Sequence, residues 1–308
     1  MRTFRNIFIT VLLVVLAFFI YDNRITIVQN VSKTVDKGET LVLPDNPNFK
    51  NNFDFQFVQE TDDFDVKSKQ DILNVLYTIL NNGLDEFTFY CSQNYSSCVD
   101  DFKEISQDQI LLSTINNMVS PFNSYDKVSF TISNYGKIVM KIQKLYSDDE
   151  ITRVDNEIER LIKENLGDKM SDRDKIKFFH DYLINNSKYD EKRAEAIESG
   201  SDINNNSHKA IGPLFDHLSL CSGYSDAMKL FLDKLEIPNY KISNTKHSWN
   251  LVYIDGKWLH LDLTWDDPVT DTGANLLLHK FFLISTDELH DLDATEHNFN
   301  VEYYPEAA

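Results

Sequence analysis

The sequence predicts an α+β protein: an amphipathic helix packed on an antiparallel sheet, preceded by a smaller αβ domain and an apolar N-terminal segment. Three observations carry this. Tyr224, Met228, Phe231 and Leu235 recur at helical spacing, the stripe of a helix with one buried face. Asp255-Gly256 joins two runs rich in Val, Ile, Leu, Trp and Tyr, which is a hairpin signal because a type I′ turn needs positive φ at both central residues. Upstream, VSFTIS and KIVMKIQ alternate apolar and polar residues around Asn-Tyr-Gly, a second hairpin.

The elements follow in order along the chain. MRTFRN precedes IFITVLLVVLAFFIY, an uncharged run from Ile7 to Tyr21. Arg2 and Arg5 ahead of it form a positive n-region. The run is short for a membrane span, which takes roughly 17–25 residues, and its length suits a signal-peptide core. No small-x-small cleavage site follows it. Residues 1–21 are therefore expected to remain as a membrane anchor through 7–21, amino end inside and the rest extracytoplasmic. If the segment is cleaved, the protein is secreted. Residues 22–65 read as an extended polar linker with strand-like pieces, ITIV and FDFQFV.

A small αβ domain is expected over 66–147. Residues 66–82 place Ile72, Leu73, Leu76, Ile79 and Leu80 on one helical face, with Gly83 as a stop. FTFYC reads as a strand, and the VSFTIS/KIVMKIQ hairpin completes the domain. The remaining domain spans 148–308. Its first helix, 149–166, carries Ile151, Val154, Ile158, Leu161, Ile162 and Leu166 before Gly167. Ser171 is an N-cap for a helix bearing Ile176, Phe179 and Leu183. Residues 190–209, charged and rich in Asn and Ser, read as a loop over the front of this domain. His208 within it is expected to be solvated.

Composition bounds the partners. The 308 residues carry a net charge of −19, which argues against nucleic acid because phosphate binding needs a basic surface. The three cysteines are Cys91, Cys98 and Cys221. Cys91 and Cys98 either close a small disulfide loop outside the cell or stay as two free thiols. Cys221 is left as a free thiol, and the set lacks the spacing of a zinc site.

The chemistry lies in two stretches. LCSGYSDAMKLFLDKLEIP puts Cys221 at the first turn of its helix, followed by Ser222 and Gly223. Unpaired N–H groups and the positive dipole end there favour a thiolate. In HSWNLVYIDGKWLHLDLTWDDP the two-residue turn pairs Ile254 with Lys257, Tyr253 with Trp258, Leu251 with His260, Trp249 with Asp262 and His247 with Thr264. His247 and Asp262 are then diagonal neighbours on one face, roughly 7–8 Å apart at the backbone. His260 shares that face and is read as a packing residue, while Asn250 falls on the opposite face with a packing or hydrogen-bonding role. Clustered acids in TWDDP and at Asp271 suit a capping or solvated turn better than a calcium site, since no EF-hand spacing is present. Cys, His and Asp in this order form a relay for nucleophilic acyl transfer.

These two stretches resemble the core of the transglutaminase-like superfamily, through CSGY, HSWN and D-x-TWDDP. The resemblance runs from about Asp174 to Leu289, with FFHDYLINNSKYD and KFFLISTDEL similar to the family's flanks. It departs in the short NYKISNTK segment before His247 and in HKAIGPLFDHLSL, which matches weakly. The resemblance implies a papain-like α+β core in which Cys221 is the nucleophile, His247 the base and Asp262 the orienting carboxylate. Gly223, Tyr224, Trp249, Asn250, Trp265 and Asp266 are implied as supporting residues. It also implies a protein or peptide substrate, cell-wall peptide or surface protein by location, and no cofactor. The acyl group would pass to water (peptidase or amidase) or to an amine (transamidase). Two rivals are an inactive surface module for binding or scaffolding, and a metal hydrolase built on His247, His260 and Asp262.

Overall fold

The structure, a computed structural model, describes residues 2–35, 65–269 and 276–308. FDFQFV and Asp271 lie outside the described residues. In chain order the elements begin with α1 (Arg2–Asp22), α2 (Arg24–Val35), β1 (Asp65–Val66), α3 (Lys69–Asn81), β2 (Glu86–Cys91), α4 (Cys98–Gln107) and α5 (Gln109–Met118). Next come β3 (Tyr125–Ile132), β4 (Lys137–Lys144), α6 (Asp148–Asn165), α7 (Asp172–Asn186), α8 (Glu191–Glu198) and α9 (Cys221–Lys234). The chain closes with β5 (Asn239–Ser243), β6 (Ser248–Ile254), β7 (Lys257–Leu261), α10 (Leu263–Asp266), β8 (Phe282–Ile284) and α11 (Thr286–Leu292). This is a mixed α+β protein with two four-stranded sheets.

The chain forms two compact units. Among the described residues the first holds 2–35, 65–107 and 127–143, and the second holds 108–126, 144–269 and 276–308. The first unit's sheet has the order β1-β2-β4-β3, with β1 parallel to β2 and β2 antiparallel to β4. Ser68 caps α3, whose Ile72, Leu73, Leu76, Ile79 and Leu80 are all buried, and Gly83 follows with φ 62°. Cys91 and Cys98 are joined in a disulfide between the end of β2 and the start of α4. ITIV is a departure from the extended linker expected there: it lies inside helix α2. Gln29, on the same helix, donates through Nε2 to the carbonyls of Cys91 and Tyr135. Those long-range bonds and the helical pairing of apolar residues outweigh the β-branched bias of ITIV.

In α1 the side chains from Ile7 to Tyr21 are exposed, Phe8 at 68% and Phe18 at 72%. No single described helix is long and apolar enough to cross a membrane. Asn6–Asp22 and Arg24–Ser32, bent by 65°, meet length and composition only as a pair.

The second unit is an antiparallel sheet in the order β5-β6-β7-β8, with α9 packed on β5 and β6. The β6–β7 hairpin turns through Asp255 at φ 54° and Gly256 at φ 82°. Its register pairs Ile254 with Lys257, Tyr253 with Trp258 and Leu251 with His260, as predicted. The ladder stops at Asn250–Leu261, and there the prediction fails. The Asp262 N–H bonds to the carbonyl of Phe281, and its side chain caps α10, so Thr264 is helical and not strand-paired with His247. A carboxylate facing free N–H groups is a strong N-cap, which ends the strand.

Behind the sheet, Phe179 of α7 stacks on Phe231 of α9 at 3.9 Å between ring centres, within a core that includes Ile158, Leu183, Met228 and Leu261. Ser147 and Ser171 cap α6 and α7. The Tyr146 hydroxyl accepts from the Ala210 N–H at 2.7 Å and donates to Asp226 on α9 at 2.9 Å. That bond pins the segment before Cys221 to the helix it leads into. The 190–209 stretch is not one loop: EKRAEAIE forms helix α8, capped by Asp190. Its Glu, Lys, Arg and Ala are good helix formers, and buried Arg193 grips Asp202 with two hydrogen bonds, 2.8 and 3.0 Å.

Candidate active site

Cys221 is the first residue of α9, after Leu220 in extended conformation with its N–H on the carbonyl of Ser207. Gly223 makes this entry fit. A Cβ there would lie 2.3 Å from the Ser207 carbonyl oxygen and 2.7 Å from Ser219 Oγ, so only glycine lets the preceding segment cross the first turn. Cys221 is half-buried and is the free cysteine of the described residues. Tyr224, one turn on, donates its hydroxyl to Asp267 at 2.7 Å.

His247 immediately precedes β6, and Asp262 follows β7. The two meet: His247 Nε2 donates to Asp262 Oδ2 at 2.5 Å. Cys221 lies within reach of the His247 imidazole, which acts on its thiol by hydrogen bonding and charge. With Nε2 on Asp262, Nδ1 is the nitrogen left to face it. Asn244 fixes the backbone before the imidazole by accepting from the N–H groups of Lys246 and His247, both at 2.9 Å. Trp249 stacks on the His247 ring, 5.5 Å between centres, and donates through Nε1 to His260.

Asp262 is 1% exposed and accepts four hydrogen bonds. Oδ1 takes the N–H groups of Thr264 and Trp265 at the start of α10, at 2.8 and 3.2 Å. Oδ2 takes His247 and also His297, the latter at 2.8 Å. His297, from the C-terminal segment, is fully buried, and its other ring nitrogen faces Asp293. The sequence reading missed His297. A lone histidine in ATEHNF has no spacing that ties it to residue 247 or 262.

The electrostatics follow. Burial works to raise the thiol of Cys221, yet the hydrogen bond and charge of His247, with help from Ser248, outweigh it and hold the thiol below its ordinary value. Burial works against a charged His247, but the adjacent Asp262 carboxylate, and then Cys221, lift it to about 10. Burial would likewise raise Asp262, and the His247 charge with the two imidazole hydrogen bonds pulls it well below the usual carboxylate range. The three groups therefore favour a thiolate, an imidazolium and a carboxylate together.

The other expected residues take distinct places. Asn250 lies on the far face of β6 and donates to the Ser225 carbonyl at 3.0 Å, tying the strand to α9. Asp266 is buried, accepting from the Lys280 and Phe281 N–H groups and facing His180 at 3.2 Å. Trp265 packs at a tilt against His297 and Phe281, 5.2 Å between ring centres in both cases. His260 sits between Trp249 and Thr286, and burial drops it to about 3, so it is neutral. The group with convergent ligand atoms beside the thiol is His247, Asp262 and His297, not the set with His260 on which the metal reading was built. His208 is not solvated as expected: it is half-buried and lies 2.5 Å from the Arg193 guanidinium.

Cys221 opens into a cleft of about 890 Å³ lined by Tyr189, Ser222, His247, Trp265 and Glu296, with α8 as one wall. Tyr189 pairs in a parallel bridge with Ser219, two residues before Cys221. Burial and then the charge of Cys221 push its phenol up. The arrangement sets a thiol able to act as a nucleophile beside an imidazole able to carry a proton, in a cleft that reaches solvent.

No protein-family model and no curated protein matches the chain. Among solved structures, the chain is similar to "Crystal structure of a TGase", with TM-score 0.35 and 21% identity over 46% of this chain and 44% of that one. It is also similar to a "Putative Cysteine Protease from Cytophaga hutchinsonii", with TM-score 0.28 and 15% identity over 49% of this chain and 65% of that one. The chain spans less than two thirds of either structure's length.

Proposed function

We propose that the protein is a cysteine-dependent acyl-transfer enzyme of the transglutaminase-like kind, acting on a peptide or carboxamide group through a thioester at Cys221. The observation that carries this is the Cys221–His247–Asp262 relay at the floor of an open cleft. The Cys221 thiolate attacks the substrate carbonyl, and the oxyanion forms beside the free N–H groups of the first turn of α9. His247, held as imidazolium by Asp262, gives its proton to the departing amine from Nδ1. The C–N bond breaks and the acyl group stays on sulfur. His247, now neutral, then takes a proton from water or an incoming amine as that nucleophile attacks the thioester. The C–S bond breaks and the thiolate–imidazolium pair is restored. Water makes the reaction hydrolysis, and a lysine amine makes it cross-linking.

The same reading has the chain anchored by residues 7–21 with the catalytic unit outside the membrane. The exposed apolar side chains of α1 and the Cys91–Cys98 disulfide support that location. The test needs no substrate. The rate of Cys221 alkylation is followed against pH in the full chain and in His247→Ala. A free cysteine titrates near ~8.5, and an activated one at roughly 3.5–7.5. A low midpoint that rises in the variant supports the enzyme. An ordinary midpoint in both overturns it and leaves the inactive binding module.

A further inference from the structure

Away from the thiol, His180 and Asp181 on α7 meet His279 in the segment leading to β8. One ligand atom from each lies within 4.8 Å of the others. Asp181 Oδ1 is 2.9 Å from His180 Nδ1 and 2.6 Å from His279 Nε2. The relay does not use this cluster.

Its hydrogen bonding is over-committed. His279 Nε2 faces Asp181 Oδ1, which needs a proton on that nitrogen, and also faces the Lys177 ammonium at 2.9 Å, which needs its lone pair. One ring nitrogen cannot do both. Lys177 sits between the histidine and the Asp181 carboxylate, where a cation is wanted. Behind the cluster, His180 Nε2 faces Asp266 Oδ2 at 3.2 Å, and Asp266 is itself fixed by two backbone N–H groups. A carboxylate behind one ring nitrogen is the usual support for a metal-bound histidine: it keeps the proton on Nε2, so that an ion displacing the Nδ1 proton would find that lone pair at the front.

We propose that His180 Nδ1, Asp181 Oδ1 and His279 Nε2 form a zinc site, with Lys177 standing in for the ion when zinc is absent. Two imidazoles and one carboxylate suit zinc and not calcium or magnesium, which take oxygen ligands. Ligands about 2.1 Å from a tetrahedral ion stand roughly 3.4 Å apart, so Asp181 Oδ1, 2.9 Å from His180 Nδ1 and 2.6 Å from His279 Nε2, needs to part from them by about 0.5 and about 0.8 Å. His180 is fully buried, while Asp181 and His279 are 24% and 36% exposed, which leaves the fourth position to water. Lys177, 46% exposed, is free to swing out. The ion would clamp α7 to the strand segment that also holds Asp266, behind the helix capped by Asp262.

The test is calorimetric titration of the untagged, metal-stripped full chain with zinc, repeated with cobalt to read the ligand field by absorption. One equivalent is expected, with a cobalt spectrum free of thiolate charge transfer. His279→Ala should abolish binding, Lys177→Met should tighten it by removing the competing ammonium, and His247→Ala should leave it intact. Circular dichroism checks that His279→Ala is folded. Lys177→Met gives an independent readout because it removes no ligand. No uptake by the wild type, uptake that survives His279→Ala, or uptake lost in His247→Ala overturns the proposal; the last outcome would put the ion at the cluster beside the thiol. Since the readout is binding, its failure leaves the acyl-transfer reading untouched.

Discussion

Replacing Asp262 by asparagine tests the relay most directly. The carboxylate accepts four hydrogen bonds, two from the backbone of α10 and two from imidazoles. An asparagine carbonyl keeps the backbone pair, so α10 should retain its cap. Its NH₂ then faces His247 Nε2 and cannot accept a proton from it. His247 must turn to the tautomer with its proton on Nδ1, and its charged form loses its partner. The rise of His247 from 6.5 to about 10 corresponds to roughly 5 kcal/mol in favour of the imidazolium. Asp262 provides the leading favourable contribution, by charge and then by hydrogen bond, with Cys221 behind it. Loss of about half, roughly 2–3 kcal/mol, lowers the ion-pair population about a hundredfold. Alkylation of Cys221 against pH should show it: the wild type reacts on a plateau that starts at the lowered thiol value, and the variant's midpoint moves up by about 2 pH units. At the alkaline end the imidazolium is lost as pH rises through about 10, so acyl transfer that needs its proton falls there, and earlier in the variant. Acyl transfer at neutral pH should drop by roughly 10³–10⁴, as expected for a wrong tautomer. A folded Asp262→Asn protein with an unchanged alkylation profile would refute the argument.

Three further perturbations have defined outcomes. Gly223→Ala pushes a methyl to 2.3 Å from the Ser207 carbonyl oxygen, so thermal unfolding should show a loss of about 1–3 kcal/mol or more, with the Cys221 midpoint moving towards that of a free thiol. Cys91→Ser with Cys98→Ser opens a loop of sequence separation 7 and should cost about 2–3 kcal/mol in denaturant unfolding, while the alkylation profile of Cys221 stays as in the wild type. Tyr189→Phe removes the hydroxyl that lines the cleft beside Cys221; if it helps the backbone N–H hold the oxyanion, kcat falls by roughly 10²–10³ with KM little changed, and an unchanged kcat excludes the role.

What was legible in the sequence was local. The hairpin register from Ile254–Lys257 out to Leu251–His260 follows from a two-residue turn and side-chain alternation. The start of α9 at Cys221 follows from its apolar stripe. Helix α8 was hidden because a short run of charged helix formers looks like loop composition, and what stabilises it, Arg193 buried against Asp202, spans two segments. The helical state of ITIV was hidden for the same reason, since Gln29 finds its acceptors at residues 91 and 135. His297 reaches Asp262 across 35 positions with no periodic signal between them. Asp262 was read correctly as meeting His247 but by an incomplete route. The strand prediction carried it past Leu261, and capping competed with pairing and won.

That competition bears on the chemistry. As a strand residue, Asp262 would offer His247 a carboxylate whose other oxygen pointed along the sheet. As a cap, its Oδ1 is held by two N–H groups of α10, and the helix end favours a negative charge there. The donors on Oδ1 also make protonation of the carboxylate costly, so the shared proton stays on His247 and the imidazolium persists next to the thiolate. His297 adds a second donor on Oδ2, at 2.8 Å. The sign of the linkage follows. The depressed Asp262 contributes stability that is present above the ordinary carboxylate value of 3.8 and is lost as pH falls through its lower folded value. The raised His247 contributes stability that is full below 6.5 and is lost as pH rises through about 10. Between those limits, the interactions that keep the strand end and α10 folded are the ones that hold the Cys221 thiol below its ordinary value.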